Sequence, residues 1–543
     1  MRNCWGFISV KRQLIKSARC KARGEMERIA HMTTGQILII VTIILYMAGM
    51  IAIGVAFNRK GATETSHGFY LGGRSLGPVV TAMSAEASDM SSYLLMGLPG
   101  LAYLAGLAEV TWTAIGLSIG TYLNFLLVAR LLRRYSERIG AITIPDFYAR
   151  RYGDKKHVLS CIAAIIIIIF FIPYTASGFK AVGTMFNSLF NLDYHIAMII
   201  GALIIITYTT MGGFLAVSTT DLIQSIFMTI ALVIIVFFGI SQAGGMGNVI
   251  ANAKALPGYL NLGQGYDAAN NAASSFGAFS IASTLAWGLG YFGMPHILLR
   301  FMGIRNEKEL VLSRRIAAVW VVLSMGIAIF IGVIGYSVSV AGTIPMLKTS
   351  SDSETVIVQL ANLMSQHGFF FALFAGIILS GILAATMSTA DSQLLAAASS
   401  VSQDLVQDFL GIKLTNRQQM KAARLTVAAI ALIAFILAWN PNSSVFRVVS
   451  FAWAGFGAAF GPQMLLALFW RRSNKQGALA GLIVGAAMIF IWKFGIAKLG
   501  GWFAIYELLP AFICSLAAHM IVSNLTAAPE QSVVEIFDEV HGK

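Results

Sequence analysis

Charged residues are scarce in this sequence. Asp, Glu, Lys and Arg make up 11% of the 543 residues, whereas hydrophobic residues make up 57% and the mean hydropathy is +0.75. Since a soluble domain carries about a quarter charged residues, the composition excludes a soluble fold and predicts an integral membrane protein. The formal net charge of +14 is expected to face the anionic lipid of the bilayer, and no nucleic-acid partner is predicted.

Cysteine and the common catalytic motifs are also missing. Of the four cysteines, two lie in the first 31 residues and two, Cys161 and Cys514, lie in predicted helices, so neither a disulfide framework nor metal-ligand spacing is expected. The eight histidines are scattered, and there is no phosphate-binding G-x-x-x-x-G-K-[ST] loop. GLGYFG at 288–293 matches G-x-G-x-x-G, but no predicted strand precedes it. An enzyme is therefore not expected.

Long apolar segments dominate the rest of the chain. Runs of about 18 or more apolar residues, the length that spans a bilayer, predict thirteen transmembrane helices and hence an all-α membrane protein. These runs lie near residues 35–57, 78–108, 110–129, 158–190, 195–212, 221–242, 276–299, 316–342, 367–398, 425–439, 445–470, 477–496 and 503–523.

The distribution of Lys and Arg predicts the orientation of these helices. With residue 35 outside, the inner loops carry 24 basic residues and the outer loops three, as the positive-inside rule requires. We therefore expect a cell membrane protein with its N-terminus outside, a transmembrane domain at 32–523, and a short cytoplasmic tail at 524–543.

The first 31 residues do not fit that orientation. They carry eight basic and two acidic residues, although they would lie outside, against the positive-inside rule. We expect translation to start at Met26 or Met32, which makes this extension a mis-assigned start. The alternative is a basic arm that lies on anionic lipid.

Two of the predicted helices contain helix-breaking residues at corresponding positions. The second contains SAEASDMSSY at 84–93 and then GLPG at 97–100, and the seventh contains GLGYFGMP at 288–295. Each opens a block of five helices, at 78–242 and 276–470. Interrupted helices at matching places in two halves are typical of inverted-repeat secondary transporters, which bind substrate and ions where the helices unwind.

Carboxylates and hydroxyls at membrane depth are the first candidate site residues. Glu86 and Asp89 are three apart and share a helix face with several serines. They are either structural carboxylates held by hydroxyls or part of a cation or substrate site. Ser388 and Ser392 flank Asp391 and offer the oxygen ligands that sodium prefers, although a Ser/Thr patch in a membrane helix is usually structural.

Asp221 and a group of aromatic residues also leave two interpretations open. Asp221 lies at the start of the predicted sixth helix, where it is either a helix cap or functional. Trp287, Tyr291 and Pro295 follow one another at a spacing of four, and Tyr174 lies in FFIPYTASG. Such a stripe usually reflects packing, but on an interrupted helix it also suits the wall of a small-ligand pocket.

The chain resembles the sodium:solute symporter family through seven motifs in the same order. They are GGRSLG, SDMSSYLLMGLPG, IPDFYARRYGD, GGFLAVSTTD, WGLGYFGMPHILLRFM, MSTADSQLL and FAWAGFGAAFGP. The resemblance extends from about Met32 to the end of the last predicted helix. It implies a leucine-transporter-like fold with a five-plus-five inverted repeat, and sodium-coupled uptake of L-proline. The alternative is a sodium- or proton-coupled symporter of another small solute, either a different amino acid or a carboxylate. No obligatory protein partner is implied.

The resemblance also implies roles for individual residues. Sodium would be bound by backbone oxygens and hydroxyls of Ala87, Met90, Ala385, Ser388 and Thr389. The substrate would contact Ser91, Gly97, Tyr174, Trp287, Tyr291 and Pro295. Coupling of ion to substrate would depend on Asp89, Asp221 and Arg74.

Two positions depart from the expected pattern. Glu86 stands where a small glycine is expected, and Asp391 lies in S-T-A-D-S-Q where S-T-L-S-C-Q is expected. Asp391 is either protonated or paired with Lys or Arg, or it forms a second cation site with Asp221, Ser388 and Ser392. A second sodium would square the limit to which the substrate can be accumulated.

Overall fold

The fold is that of a computed structural model in which residues 32–59, 66–209 and 213–542 are described. The extension expected at 1–31 lies outside the described residues. The described part is α-helical, as predicted, apart from one antiparallel hairpin of β1 (Gln264–Asp267) and β2 (Ala272–Ser275), in which Gln264 pairs with Ser275.

The helices divide at the hairpin into two sets. Before it lie α1 (Thr34–Arg59), α2 (Ser66–Leu71), α3 (Pro78–Ser92), α4 (Leu98–Ala105), α5 (Leu107–Leu123), α6 (Ala129–Arg138), α7 (Ile144–Arg151), α8 (Val158–Phe190), α9 (Tyr194–Thr209), α10 (Phe214–Gln242) and α11 (Met246–Lys254). After it lie α12 (Ala278–Leu285), α13 (Pro295–Gly303), α14 (Leu310–Val340), α15 (Ser350–Ser353), α16 (Val356–Ser365), α17 (Phe369–Ser399), α18 (Asn416–Leu437), α19 (Val445–Phe469), α20 (Lys475–Phe494), α21 (Leu508–Leu525) and α22 (Gln531–Val540).

Ten stretches of the described helices are long and apolar enough to cross a membrane. The other three predicted spans are α9, whose apolar part is shorter, and the two interrupted helices, whose pieces are short. The multi-pass membrane fold is thus confirmed, while the count of thirteen spans remains a prediction. The ten stretches are Thr34–Ala56, Leu107–Arg138, Val158–Phe190, Phe214–Gln242, Glu307–Val340, Phe369–Phe409, Arg417–Leu437, Val445–Phe469, Lys475–Leu499 and Leu508–Leu525.

Two helices begin earlier than their apolar runs predict. α10 begins at Phe214 rather than at 221, and α18 begins at Asn416 rather than at 425. Thr415 caps α18 reciprocally with Gln418, so the polar first turns are stabilised as helix although they contribute nothing to an apolar pattern. Asp221 therefore lies two turns inside α10, and its interpretation as a helix cap is wrong.

Both predicted interruptions are present. In the first, Ser91 at the end of α3 has a left-handed backbone (φ +48°, ψ −167°), and a π-helical turn at Tyr93–Gly97 leads into α4. In the second, α12 passes into a 3-10 stretch at Ala286–Gly293 and an extended Met294, after which Pro295 begins α13. Proline lacks an N–H and favours the first turn of a helix, which explains why the chain restarts there.

The interrupted helices lie at the centre of the molecule. All residues of 81–100 are buried, as are those of 286–303 apart from Leu289. α5 approaches the 3-10 stretch so closely that a methyl group on Gly120 would overlap the backbone of Gly288. Small residues permit such close backbone packing in membranes, so the glycines of the second interruption serve both its conformation and its contact with α5.

The C-terminal residues contain a docked helix where the sequence predicted only a short polar tail. The apolar face of α22, including Val533, Phe537 and Val540, is buried, and the guanidinium of Arg151 lies 5.1 Å from the centre of the Phe537 ring. On the exposed side, ion pairs join Arg138 to Glu539 (2.8 Å) and Arg471 to Asp538 (2.7 Å). α22 thus connects the end of α6 to the segment between α19 and α20.

We expect Phe537→Ala to detach α22. Truncating a buried Phe costs about 3–5 kcal/mol, which is more than exposed ion pairs contribute, so the remaining contacts should not retain the helix. Limited proteolysis should then cut residues 524–543 at least several-fold faster than in the wild type. Glu535→Ala, on the exposed face of the same helix, is the control, and equal cutting of Phe537→Ala and the wild type would contradict this account.

Candidate functional site

Four of the five predicted sodium ligands lie together where α3 meets α17. The Ser388 hydroxyl donates to the carbonyl of Ala87 (2.7 Å) and lies 3.2 Å from that of Ala385, and the Thr389 hydroxyl donates to the same Ala385 carbonyl (3.1 Å). The carbonyl of Met90 accepts the N–H of Tyr93. This set consists only of neutral oxygens, the ligand type that hard cations prefer, so the residues present fit a sodium ion.

Asp89 connects three helices at the first interruption. The Tyr291 hydroxyl donates to its carboxylate, and the Tyr174 hydroxyl donates to its backbone carbonyl (3.1 Å). The structure therefore brings Asp89 together with two of the predicted substrate residues. The bond from Tyr174 also gives the Asp89 carbonyl a partner where α3 unwinds away from water.

A narrow cavity lies next to Asp89. Its walls are mainly aromatic and aliphatic, and among the described residues that line it Asp89 is the one charged side chain. Of the predicted substrate residues, Tyr174 and Trp287 line it. Asp89 and Met90 were predicted for coupling and for sodium, whereas Tyr93 and Trp453 were missed although they lie within motifs that the sequence analysis had singled out. The lining comprises Asp89, Met90, Tyr93, Leu117, Tyr174, Trp287, Met325, Val449 and Trp453.

The remaining predicted substrate residues lie around this cavity rather than in its lining. Ser91 forms the break itself, and its hydroxyl accepts the N–H of Tyr93 (3.1 Å). Gly97 packs against Phe446, and Pro295 begins α13 directly after the 3-10 stretch and Met294. These three therefore shape the backbone at the two interruptions.

Trp287 separates the small cavity from a larger one. The larger cavity has a volume of about 960 Å³ and is lined by Trp287, Gly97, Glu109 and Arg447 among others. The Trp287 ring stacks on Tyr506 (5.1 Å between ring centres) and packs against Phe446 (5.4 Å). The aromatic side chains around Trp287 thus form a lid between the two spaces.

A buried ion pair closes the opposite side. Arg300 pairs with Asp221 (3.1 Å), and both side chains are almost fully buried. The Ser84 hydroxyl donates to Asp221 (2.6 Å) and accepts from Arg300 Nε (3.0 Å), and Arg300 also donates to Ser392. This network joins α3, α10, α13 and α17. Arg300 was expected in an inner loop because it follows an apolar run, and that expectation is wrong.

The residues predicted for a second cation divide between two places. Asp221 and Ser392 bind the guanidinium of Arg300, and Asp391 Oδ1 lies 3.4 Å from the Ser392 hydroxyl. Ser388 instead points to Ala87. In the part of the chain that the structure describes, Asp391 Oδ2 and Asp221 Oδ1 have no hydrogen-bond partner, so two carboxylates face one guanidinium.

Glu86 and Arg74 occupy contrasting environments. Within the described ranges, both carboxylate oxygens of the buried Glu86 are without a hydrogen-bond partner, so an ionised Glu86 would be uncompensated. Arg74 lies half-buried and donates to the carbonyls of Met302 (2.6 Å), Ala141 (2.9 Å) and Ser136 (3.0 Å). Burial lowers the pKa of Arg74 to about 10, so it stays charged at neutral pH and links α13 to the end of α6 and the loop that follows it.

Known proteins resemble the chain over most of its length. The model of the sodium:solute symporter family matches residues 69–485. The chain is 41% identical to the high-affinity proline transporter PutP of Bacillus subtilis (strain 168), over 90% of this chain and 98% of that protein. It is 40% identical to a sodium/proline symporter of Staphylococcus aureus, over 88% and 91% of the two chains, and 40% identical to that of Haemophilus influenzae, over 92% and 97%.

Solved structures share the fold at low sequence identity. A Na⁺-coupled sialic acid symporter in a substrate-bound, outward-open state gives a TM-score of 0.73 with 18% identity, over 91% of this chain and 99% of that one. MHP1, a nucleobase-cation-symport-1 family transporter in a closed conformation, gives 0.51 with 13% identity, over 87% and 98%. The predicted leucine-transporter-like fold class is therefore confirmed.

We expect Arg300→Met to destabilise the fold strongly. Removing one partner of a buried ion pair leaves the other charge uncompensated and costs about 3–5 kcal/mol, which should lower the midpoint of thermal unfolding in detergent. The double variant Arg300→Met/Asp221→Leu should recover part of the loss. Arg305→Met removes an exposed pair with Glu309 and serves as the control. If Arg300→Met unfolds at the same temperature as Arg305→Met, the buried pair does not have this role.

Proposed function

The chain belongs to the sodium:solute symporter family, and from this membership we propose that it couples the inward movement of sodium to the uptake of L-proline by alternating access. Relatives covering about nine-tenths of the chain are named as proline transporters or sodium/proline symporters. The observation that carries the proposal is the meeting of a neutral oxygen set, Asp89 and a small aromatic cavity at one interrupted helix.

Sodium would bind between α3 and α17. The carbonyls of Ala87, Met90 and Ala385 and the hydroxyls of Ser388 and Thr389 would supply its ligands. The two hydroxyls now donate to Ala87 and Ala385, and they can turn their lone pairs toward an ion that those carbonyls also contact. An ion there would replace two hydrogen bonds by shared coordination and would hold α3 and α17 together.

Proline would occupy the aromatic cavity beside Asp89. Its ring suits the apolar surfaces of Tyr93, Tyr174 and Trp287, and its cationic amine suits the Asp89 carboxylate. Among the described residues no basic side chain lines the cavity, so the substrate carboxylate would depend on the backbone N–H groups that follow the break at Ser91, as unwound helices provide in other transporters.

The arrangement of barriers suits alternating access. The larger cavity reaches Trp287, so a thin aromatic lid separates the substrate site from one side, while Arg300, Asp221 and Arg74 close the other. Transport requires that sodium and proline both favour the same conformational step. Both ligands would contact the segment from Ala87 to Ser91, so each would bias the same interrupted helix.

The membrane potential and the sodium gradient set the accumulation of substrate that one sodium ion can drive. A membrane potential of ~100 mV contributes about 2.3 kcal/mol per charge, and a tenfold sodium gradient contributes about 1.4 kcal/mol. Together they would sustain roughly 500-fold accumulation of a zwitterion. Two sodium ions would square this value.

We further propose that a second sodium binds at Asp391. Asp221 and Asp391 carry two negative charges against the one positive charge of Arg300, and one oxygen of each aspartate has no hydrogen-bond partner among the described residues. A buried net charge of this kind must be compensated. A second cation held by Asp221, Asp391 and Ser392 would supply the missing charge, and Ser388 would join them by turning its hydroxyl away from the Ala87 carbonyl.

The orientation of the chain in the membrane and the bounds of its domains can also be proposed. The chain is a multi-pass membrane protein, and we propose a cell-membrane location with the N-terminus outside and the C-terminus in the cytoplasm, supported by the 24 basic residues of the predicted inner loops. Residues 32–523 would form the transport domain, and 524–543 the cytoplasmic segment. Protease should then reach the released tail of Phe537→Ala in inside-out vesicles and not in right-side-out ones.

We expect proteoliposomes containing the full chain to accumulate proline when an inward sodium gradient is imposed. A matched proton gradient without sodium should not drive uptake. Ser388→Ala should raise the sodium concentration for half-maximal uptake at least tenfold, because it removes a ligand from the ion. Ser399→Ala removes a hydroxyl of the same helix that bonds to the Ala396 carbonyl (2.8 Å), and should leave this sodium concentration unchanged.

Other outcomes of this experiment would change the proposal in different ways. Inhibition by another amino acid or a carboxylate, without proline uptake, would replace the substrate and keep the mechanism. Proton-driven uptake would remove sodium as the coupling ion. Equal sodium requirements in Ser388→Ala and Ser399→Ala would remove Ser388 from the sodium site.

We expect Asp391→Ser to halve the ratio of sodium to proline that is transported. The substitution removes one buried negative charge and therefore the need for a second cation. The ratio follows from parallel uptake of radiolabelled sodium and proline, or from the membrane potential at which net flux reverses. A wild-type ratio of one, or an unchanged ratio in the variant, would assign the missing positive charge to a proton instead.

A further inference from the structure

The second interruption removes the α-helical partners of two backbone carbonyls. In an α-helix the carbonyl of Trp287 accepts the N–H four residues on, which belongs to Tyr291, but here the stretch Ala286–Gly293 is 3-10, whose hydrogen bonds span three residues and have poorer geometry. The carbonyl of Tyr291 would need the N–H of Pro295, which proline does not have. Both carbonyls belong to residues at the proposed substrate pocket, and the membrane supplies no water to satisfy them.

Two buried side chains from other helices supply the missing donors. The Trp453 indole N–H of α19 donates to the carbonyl of Trp287 (2.8 Å). The Asn124 amide, in the π-helical turn that follows α5, donates to the carbonyl of Tyr291 (3.0 Å). Both donors are at most 2% exposed, so neither bond competes with bulk water.

Trp453 also contacts the side chains whose backbone is held in this way. Its ring lies edge-on to Tyr291 (5.1 Å between centres, 85°), and it borders the small cavity. A methyl group on Gly290 would overlap the indole, so the unwound backbone lies directly on the tryptophan. Tyr291 in turn donates to the Asp89 carboxylate.

We propose that Trp453 and Asn124 are positioning residues of the substrate pocket, which fix the separation of Trp287 and Tyr291 and thereby the ring size that the pocket accepts. The proposal rests on the proposed proline transport for its substrate. Its physical basis is that a pair of directional bonds, one to each carbonyl, fixes a segment whose 3-10 hydrogen bonds hold it less firmly than an α-helical ladder would. A small shift of such a wall changes how tightly a rigid ring fits.

The matched variants are Trp453→Phe and Trp492→Phe. Each keeps an aromatic ring and removes one indole N–H; Trp492 donates to the carbonyl of Phe503 (3.1 Å) at an exposed position. We expect Trp453→Phe to raise KM for proline about tenfold with little change in kcat. It should also shift the relative uptake of the four-membered and six-membered ring analogues, azetidine-2-carboxylate and pipecolate. Trp492→Phe should change neither.

Asn124→Leu tests the second donor independently. It should shift the analogue preference as Trp453→Phe does, and it decides the question if Trp453→Phe does not fold. The proposal is overturned if the folded variants keep the wild-type KM and analogue ratio, or if Trp492→Phe changes them equally.

A measurement without substrate separates this proposal from the proposed function. Hydrogen–deuterium exchange across 280–302 of the full chain in detergent should be faster in Trp453→Phe and Asn124→Leu than in the wild type and Trp492→Phe. Failure of the wild type to take up proline would refute the substrate assignment. Unchanged hydrogen–deuterium exchange in both variants would refute the positioning role.

Discussion

A backbone that leaves the helix inside a membrane must find all its hydrogen-bond partners within the protein, and the centre of this molecule is built around that constraint. At the first interruption, the carbonyls of Ala87 and Asp89 accept hydroxyls from Ser388 and Tyr174. At the second, the carbonyl of Trp287 accepts the indole of Trp453. Each donor comes from a different helix, so the unwound segments are fixed by the whole bundle. Of these three carbonyls, that of Ala87 is also a proposed ligand of the sodium ion.

The buried charges on the opposite side of the site also find their partners within the protein. Arg300 and Asp221 are removed from water at a large desolvation cost, and Ser84 and Ser392 share the remaining hydrogen bonds. An arrangement of this kind is stable only while the helices that carry it stay together. A conformation that separates them must compensate each charge anew, which makes the network a natural point of control for opening.

The two interruptions could be predicted from the sequence, and the resemblance to the family supplied the oxygen set between α3 and α17, four of whose five members lie together in the structure. Glycine and proline within long apolar runs have few structural explanations in a membrane, so GLPG and GLGYFGMP located the breaks. Arg300 was placed in a loop because one-dimensional patterns end an apolar helix at the first charge. Trp453 was missed as a pocket residue because its role depends on the carbonyl that its indole meets. The Arg300–Asp221 ion pair and the bond from Trp453 to the Trp287 carbonyl join residues far apart in the sequence, so local spacing does not predict them.

The position of α17 would couple ion binding at the proposed site to the Arg300 network. Ser388 and Ser392 are four apart on this helix and therefore share a face; the first meets the Ala87 carbonyl at the proposed sodium site, and the second meets Arg300 in the buried ion-pair network. The facing partners are also linked, because Ser84 and Ala87 both belong to α3. A displacement of α17 relative to α3 that improves the coordination of an ion at Ser388 must alter the bonds at Ser392. The pair formed by α3 and α17 would thus couple the ion directly to the Arg300 network, and no longer chain of residues is needed.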